Sequence, residues 1–401
     1  MKPEPFEIRV SDDTLDDLRR RIESMRWPVE LGNEDWNYGF NGEYLKSLAE
    51  TWAHDYDWRR IEKEINRFDH YRVKIDDVPV HFIREPGVGP RPIPLIISHG
   101  WPSTFWDMEK IIRPLADPGA HGGDPDDAFE VIVPSLPGFI FSSPLPRAGI
   151  DSVVTADLWQ QLMTEVLGFE RYAASGGDWG SRVTAELGHK YAPSLYGIHT
   201  LGATPLDLFN GERWWDITHR LVPDTIPADR RREILQGLTH VISHVAVQTV
   251  EPQTLAYAMH DSPVGQLAWI AQRWRDWGHT RGDIESVFPR EQILTTAMLY
   301  WISESFVTSV RYYGEAVRHP WRPAHDRTPR VEAPTGITFL GGENPPGVTT
   351  ETRVDAFLAT SAAGDYNLHY LNAHDFGGHF GYYENPEACI EDIRATFRGL
   401  R

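Results

Sequence analysis

Apolar residues recur along this chain with two periods, and the switches between them mark out its elements. Leu15, Leu18, Ile22 and Met25 return at helical spacing behind Ser11, which predicts a helix over residues 11–25 capped by that serine. Arg26-Trp27-Pro28 ends it, because proline disfavours helical geometry in the residue before it. A second helical stretch is expected over 42–66. Between His70 and Arg84 the period drops to two: Val73/Ile75 and Val80/Phe82 alternate around Asp76-Asp77, the pattern of a hairpin.

From Pro94 onward short apolar strands alternate with helices. Leu95-Ile96-Ile97, Val131-Ile132-Val133 and Tyr172-Ala173-Ala174 are the strands, and helical patterns follow near 104–116, 152–167 and 180–191. This is the rhythm of a parallel sheet covered on both faces. It breaks after about residue 204: residues 205–325 read as helices rich in tryptophan, with no convincing strand. It resumes at Gly336–Leu340 and Tyr366–Leu371 and closes with a helix over 385–398. The expected layout is an N-terminal extension over 1–84, an α/β core over 85–204 and 326–401, and a helical cap over 205–325. Within that cap, Asp261-Ser262-Pro263-Val264-Gly265 reads as a helix start, with Asp261 or Ser262 capping and Pro263 in the first turn.

Composition narrows the function classes. The chain carries 39 Lys and Arg against 58 Asp and Glu, a net charge of −19 with no basic run, which argues against nucleic acid or an anionic membrane as partner. No apolar run approaches the ~20 residues that span a bilayer. Met1-Lys2-Pro3-Glu4-Pro5 leads into no apolar stretch, so no signal peptide is expected. The single cysteine, Cys389, excludes an internal disulfide and fits a reducing cytosol, so a cytoplasmic location is expected. It falls in a helix-like segment and reads as core filling.

The densest chemistry lies in Ser175-Gly176-Gly177-Asp178-Trp179-Gly180-Ser181. This run has the form of a nucleophile elbow, a sharp turn between strand and helix that holds one reactive side chain above a sheet. Small residues must stand two positions either side of the centre, and Gly176 and Gly180 do. Ester-cleaving enzymes place serine at the centre; here it is Asp178. A carboxylate attacks electrophilic saturated carbon, as in epoxides and alkyl halides, and leaves an alkyl ester on the enzyme. Releasing that ester needs a base to activate water, and histidine is the usual choice. His379 stands in Phe376-Gly377-Gly378-His379-Phe380, a tight loop directly after the last apolar strand, where a parallel sheet presents its sites. Glu343, in Gly341-Gly342-Glu343-Asn344-Pro345, occupies the loop after the preceding strand and would orient the imidazole.

The order Asp178, Glu343, His379 is the nucleophile–acid–base order of the α/β-hydrolase sheet. Charge gathering on the ester carbonyl needs N–H donors, and each can supply on the order of 10²–10³ in rate. One is the N–H of Trp179; the second is expected from Trp101, in Ser98-His99-Gly100-Trp101-Pro102 after the first parallel strand. His99 reads as structural. Trp101, Trp179 and Phe139 are expected to give an apolar, aromatic pocket. Trp214, Trp215, Trp269, Trp274, Trp277 and Trp301 supply further candidates for its wall, although helical spacing makes most of them packing residues.

HGWP, PSLPGF (Pro134 to Phe139), GGDWG, DSPVG and GGHF in this order closely resemble the microsomal-type epoxide hydrolase family, and the resemblance covers nearly the whole chain. It extends to the N-terminal segment with its Arg-Trp-Pro. It implies an α/β-hydrolase fold with a helical cap over the site, trans-addition of water to an epoxide, and neither metal nor organic cofactor. The family's animal members carry an N-terminal membrane anchor that is not seen in this sequence. Two cap tyrosines of the family hydrogen-bond the departing oxygen. Val310-Arg311-Tyr312-Tyr313-Gly314-Glu315 matches the motif of one and places it at Tyr313. The other stands in a Gly-Tyr-x-x-Ile-Gln stretch, where this chain has Ser243-His244-Val245-Ala246-Val247-Gln248. Either His244 is the second donor beside Tyr313, or another cap residue serves.

The expected partners are thus a small epoxide and water, with an exposed cap that would support a homodimer. Bacterial members include detoxifying enzymes and tailoring enzymes of antibiotic pathways, enediynes among them; the Trp-rich cap and altered tyrosine position point to a bulky aryl epoxide. A haloalkane dehalogenase also uses an elbow Asp followed by Trp, but the N-terminal segment and the Tyr313 motif favour epoxides. A non-catalytic, ligand-binding hydrolase fold would not need the Asp, Glu and His set.

Overall fold

Asp76 and Asp77 both sit at positive φ, 49° and 65°, the backbone that lets two strands of normal twist join through two residues. They link β2 (His70–Ile75) to β3 (Val78–Glu85) in the expected antiparallel register, Ile75 opposite Val78 and His70 opposite Ile83. The computed structural model describes residues 2–222, 226–345 and 347–401. Residue 1 of the expected extension and residues 223–225 of the expected cap lie outside the described residues.

The hairpin is part of the main sheet. Its order is β1-β2-β3-β5-β4-β6-β7-β8-β9, with β1 (Glu4–Pro5), β4 (Ile93–Ser98), β5 (Phe129–Pro134), β6 (Tyr172–Gly176), β7 (Leu195–Leu201), β8 (Val331–Leu340) and β9 (Tyr366–His374). Pairing is antiparallel from β1 to β5 through β3, and parallel from β5 to β9. The side chains of Leu95, Ile96, Ile97, Val131, Ile132 and Val133 are fully buried, as strands covered on both faces require.

Two differences from the sequence reading stand out. The expected helix over 42–66 is two helices, α2 (Gly42–His54) and α3 (Trp58–Ile65), because Asp57 caps a new start by accepting the Arg60 N–H. They follow α1 (Asp12–Glu23), which Ser11 caps. The strand β7 has no counterpart in the reading above.

On the sheet lie α4 (Glu109–Ala116), α5 (Ser152–Gln161) and α6 (Trp179–Lys190), with α5 against α6 and α6 across β6, β7 and β8. Between β7 and β8 the chain builds helices: α7 (Thr218–Leu221), α8 (Ala228–Val250), α9 (Pro252–Asp261), α10 (Pro263–Trp277), α11 (Arg290–Ile302) and α12 (Phe306–Arg318). Ser262 caps α10 by accepting the Gly265 N–H, and Pro263 opens it. Helices α8, α9 and α12 pack together, while α10 and α11 rest against α2. The Tyr56 and Thr295 hydroxyls, 3.0 Å apart, and Arg290 donating to Ser47 at 2.8 Å tie those layers. The chain ends with α13 (Thr350–Leu358), α14 (Gly381–Glu384) and α15 (Pro386–Phe397); Cys389 is fully buried on α15. No helix among the described residues is long and apolar enough to cross a membrane.

Candidate active site

The run Gly176–Gly180 makes a strained turn from β6 into α6. Asp178 is held at φ 53°, a region that costs a residue with a Cβ. The flanking glycines are compulsory: a Cβ on Gly176 would collide with the Gly180 carbonyl, and one on Gly180 with the Ser98 carbonyl at the end of β4. Beneath the turn, the Ser175 hydroxyl bonds the Tyr382 hydroxyl at 2.9 Å and His199 Nδ1 at 3.0 Å, and Ser181 donates to the Gly176 carbonyl at 2.8 Å. Strain in the loop is thus opposed by hydrogen bonds beneath it.

The turn aims the carboxylate at the loop after β4. Trp101 N–H donates to Asp178 Oδ1 at 2.7 Å. Gly100 has no room for a Cβ because that carboxylate occupies the space. His99 is used structurally: its Nε2 accepts the Leu136 N–H at 3.0 Å and its Nδ1 faces the Gly100 carbonyl at 2.8 Å. Trp179, whose N–H begins α6, follows Asp178 directly.

His379 reaches the other carboxylate oxygen. Its Nε2 lies 3.5 Å from Asp178 Oδ2, and its Nδ1 3.0 Å from Glu343 Oε1. Arg353 stands 3.6 Å behind Glu343. Burial disfavours the imidazolium, but Asp178 and Glu343 outweigh it and raise the His379 pKa to about 10. Burial likewise opposes the Glu343 carboxylate, and His379 and Arg353 overcome it, to about 2. Asp178, Glu343 and His379 therefore form one connected set at the ends of β6, β8 and β9.

The cap closes over it with rings. Tyr313 meets Trp179 edge-on at 4.8 Å between centroids and Trp101 at 5.9 Å. His244 stacks on Trp101, 5.5 Å between centroids and 12° between planes. His244 Nε2 lies 3.1 Å from the Tyr313 hydroxyl. Burial, then Arg273 and His379, hold His244 well below its usual pKa and thus neutral. Burial and the Asp178 charge push the Tyr313 phenol well above its usual value. The adjacent Tyr312 points elsewhere, its hydroxyl 2.7 Å from Thr155. Phe139 lies behind the first wall of rings, edge-on to His99 and Tyr312.

Of the six candidate tryptophans only Trp277 reaches the carboxylate's surroundings, its ring 4.8 Å from His379 and 4.7 Å from His244. Trp274 stacks on Phe380 in the core, Trp269 donates to Gln248, Trp214 and Trp215 pack on each other, and Trp301 lies over Arg21. Arg353 and Trp277 are site residues that carry no local motif; helical spacing alone gives no reason to pick Trp277 from its neighbours.

Residues 3–108 match the family model described as epoxide hydrolase N terminus, and residues 93–308 match that described as alpha/beta hydrolase fold. The chain is 32% identical to Epoxide hydrolase 1 of Oryctolagus cuniculus over 417 residues, covering 99% of this chain and 88% of the rabbit protein. Its structure is similar to that of the juvenile hormone epoxide hydrolase of the silkworm Bombyx mori, with TM-score 0.78, 26% identity, and 100% and 94% of the two chains covered. In fold it also matches the epoxide hydrolase of Aspergillus niger, with TM-score 0.79, 23% identity, and 100% and 97% covered. The chain belongs to the epoxide hydrolases of the α/β-hydrolase fold, enzymes that hydrolyse an ether bond.

Proposed function

We propose that the enzyme opens an apolar, aryl-bearing epoxide to a vicinal diol through a covalent ester on Asp178. One observation carries this reading: a single carboxylate stands between an N–H donor on Oδ1 and an imidazole facing Oδ2, beneath a cap phenol. With Oδ1 pinned by Trp101, Oδ2 is the atom free to attack. It displaces the oxirane carbon–oxygen bond, and Tyr313 gives its proton to the departing oxygen.

His244 acts through Tyr313. Its Nε2 lies 3.1 Å from the phenol oxygen, and the ring also meets the Val241 backbone on its own helix. The bond between Nε2 and the phenol holds Tyr313 in place as its own proton leaves. A neutral imidazole suits this role; an imidazolium beside Arg273 would not.

Alkylation also changes His379. The ester removes the Asp178 charge, one of the two anions that hold the imidazolium proton. His379 then gives up that proton, which replaces the one Tyr313 gave to the new hydroxyl, and becomes a base for water. Water attacks the ester carbonyl carbon as His379 takes one of its protons, and Oδ1 gathers charge against the N–H groups of Trp101 and Trp179. The bond from that carbon to Oδ2 breaks as the water's second proton passes to the departing diol oxygen. One oxygen of water is thereby left in the carboxylate. The rings of Trp101, Trp179, Trp277 and Tyr313 around the carboxylate suit a flat aromatic substituent, which also supports a place in secondary-metabolite biosynthesis.

The test is a single turnover of styrene oxide in heavy-oxygen water with enzyme in excess. The expected first diol is unlabelled and Asp178 gains the label. Label in the first diol would sink the ester scheme. A bromoalkane should release no bromide.

A further inference from the structure

The base and the ring-opening pair belong to distant parts of the chain, yet one short segment touches both. Trp277-Gly278-His279 ends α10. The Trp277 ring lies against both His379 and His244. Its indole N–H donates at 3.0 Å to the Val241 carbonyl on α8, the helix that carries His244. Its carbonyl accepts the His379 N–H, also at 3.0 Å.

A second tie comes from Glu384, the last residue of α14. This side chain takes no part in the reaction above and is only 8% exposed. Its Oε1 accepts the Phe380 N–H at 2.9 Å and its Oε2 the His279 N–H at 2.7 Å. One carboxylate thus spans the loop of the base and the segment of the cap. Burying a carboxylate is costly; burial raises this one to about 7 in spite of both bonds. The fit is close: a Cβ on Gly378 would press on the Trp277 carbonyl, the His279 nitrogen and Glu384 itself.

We propose that Glu384 is a positioning residue that clamps the His379 loop to residues 277–279, fixing the imidazole over the Asp178 ester. The clamp rests on His379 being the hydrolytic base. Alkylation depends on Asp178, set by its own elbow, on Tyr313, set by α12, and on His244, set by α8. Trp277 stays bonded to α8 through its indole whether or not Glu384 holds the loop. Loosening the clamp therefore slows ester hydrolysis and spares ester formation, a split that a general loss of packing does not produce.

The experiment measures both steps by rapid quench with styrene oxide in E384Q. The amide keeps one acceptor and turns an N–H donor towards a backbone N–H, so one tie is lost. Ester formation is expected within about twofold of the parent and ester hydrolysis slower by about tenfold or more, with ester visible by mass at steady state. Equal slowing of both steps, or no change in either, overturns the clamp. Should E384Q fail to fold, G378A decides by the same ratio, since its methyl pries residues 277–279 from the loop. H379Q separates the two ideas. Ester in H379Q with an unshifted ratio in E384Q and G378A sinks the clamp alone; no ester even in H379Q overturns the covalent scheme and the clamp with it.

Discussion

The floor and the wall of this site are built in opposite ways. Asp178, Glu343 and His379 stand on turns at strand ends, where the backbone tolerates few residues: φ is 53° at Asp178, and Gly100, Gly176 and Gly180 have no room for a Cβ. Tyr313 and His244 stand within α12 and α8, where the backbone accepts any residue except proline. Their aim comes from the packing of helices and from the rings of Trp101, Trp179 and Trp277. Chemistry held by strain constrains its neighbours in sequence, whereas chemistry held by packing leaves them free. The floor should therefore fail abruptly when altered, and the wall by degrees.

The largest effects belong to the floor. D178A should lower diol formation by about 10⁴-fold or more, measured with styrene oxide, since it removes the proposed nucleophile. H379Q should form ester and turn it over slower by roughly 10²–10⁴-fold, the range of a lost general base. A D178A enzyme that still makes diol at a tenth of the parent rate would erase the distinction between floor and wall. G180A tests the strain itself: the methyl meets the Ser98 carbonyl, so activity should fall together with a loss of about 1–3 kcal/mol in unfolding free energy by denaturant titration.

The same contrast explains how much was legible in the sequence. The elbow, the Glu343 and His379 loops and the parallel strands could be read because glycine spacing and short apolar runs are local signals. Strand β7 could not. Gly197 interrupts its apolar run because a Cβ there would meet the Pro334 carbonyl, Leu400 and Phe397, and His199 looks polar although it is buried between Ser175 and Thr338. The break at residues 55–57 was hidden because helical spacing continues on both sides, and only the Asp57 cap marks it. Trp277 and Arg353 carry no signal of their own, since what selects them is the approach of segments far apart in the chain.

In the wall the effects should be graded. Y313F removes the proposed proton donor and should slow ester formation by about 10²-fold, with hydrolysis of preformed ester little changed. H244F keeps a ring against Trp101 and loses one hydrogen bond to the phenol, so ester formation should slow by about tenfold. The order of the two, read from pre-steady-state ester accumulation, sharpens the comparison. If H244F were the worse variant, His244 would be the donor to substrate and Tyr313 its support.

The remaining effect concerns stability, and it separates the charged floor from the neutral wall. His379 titrates at 6.5 in an unfolded chain and at about 10 in the folded one. A raised value stabilises the fold fully below pH 6.5, and that contribution is lost as pH rises through 10. Glu343 has the opposite sign: lowered from 4.5 to about 2, it contributes above pH 4.5 and its share is lost as pH falls through 2. Thermal midpoints of the parent and H379Q, measured from pH 6 to 10, should therefore converge as the parent loses its advantage. H244F should run parallel to the parent above about pH 7.5 and gain on it below, because a histidine neutral in the folded state takes up a proton near pH 6.5 only when unfolded. A constant gap between the parent and H379Q would mean that Asp178 and Glu343 do not hold the imidazolium proton, and the loss of base strength on the Asp178 side could not then be what releases His379 for hydrolysis.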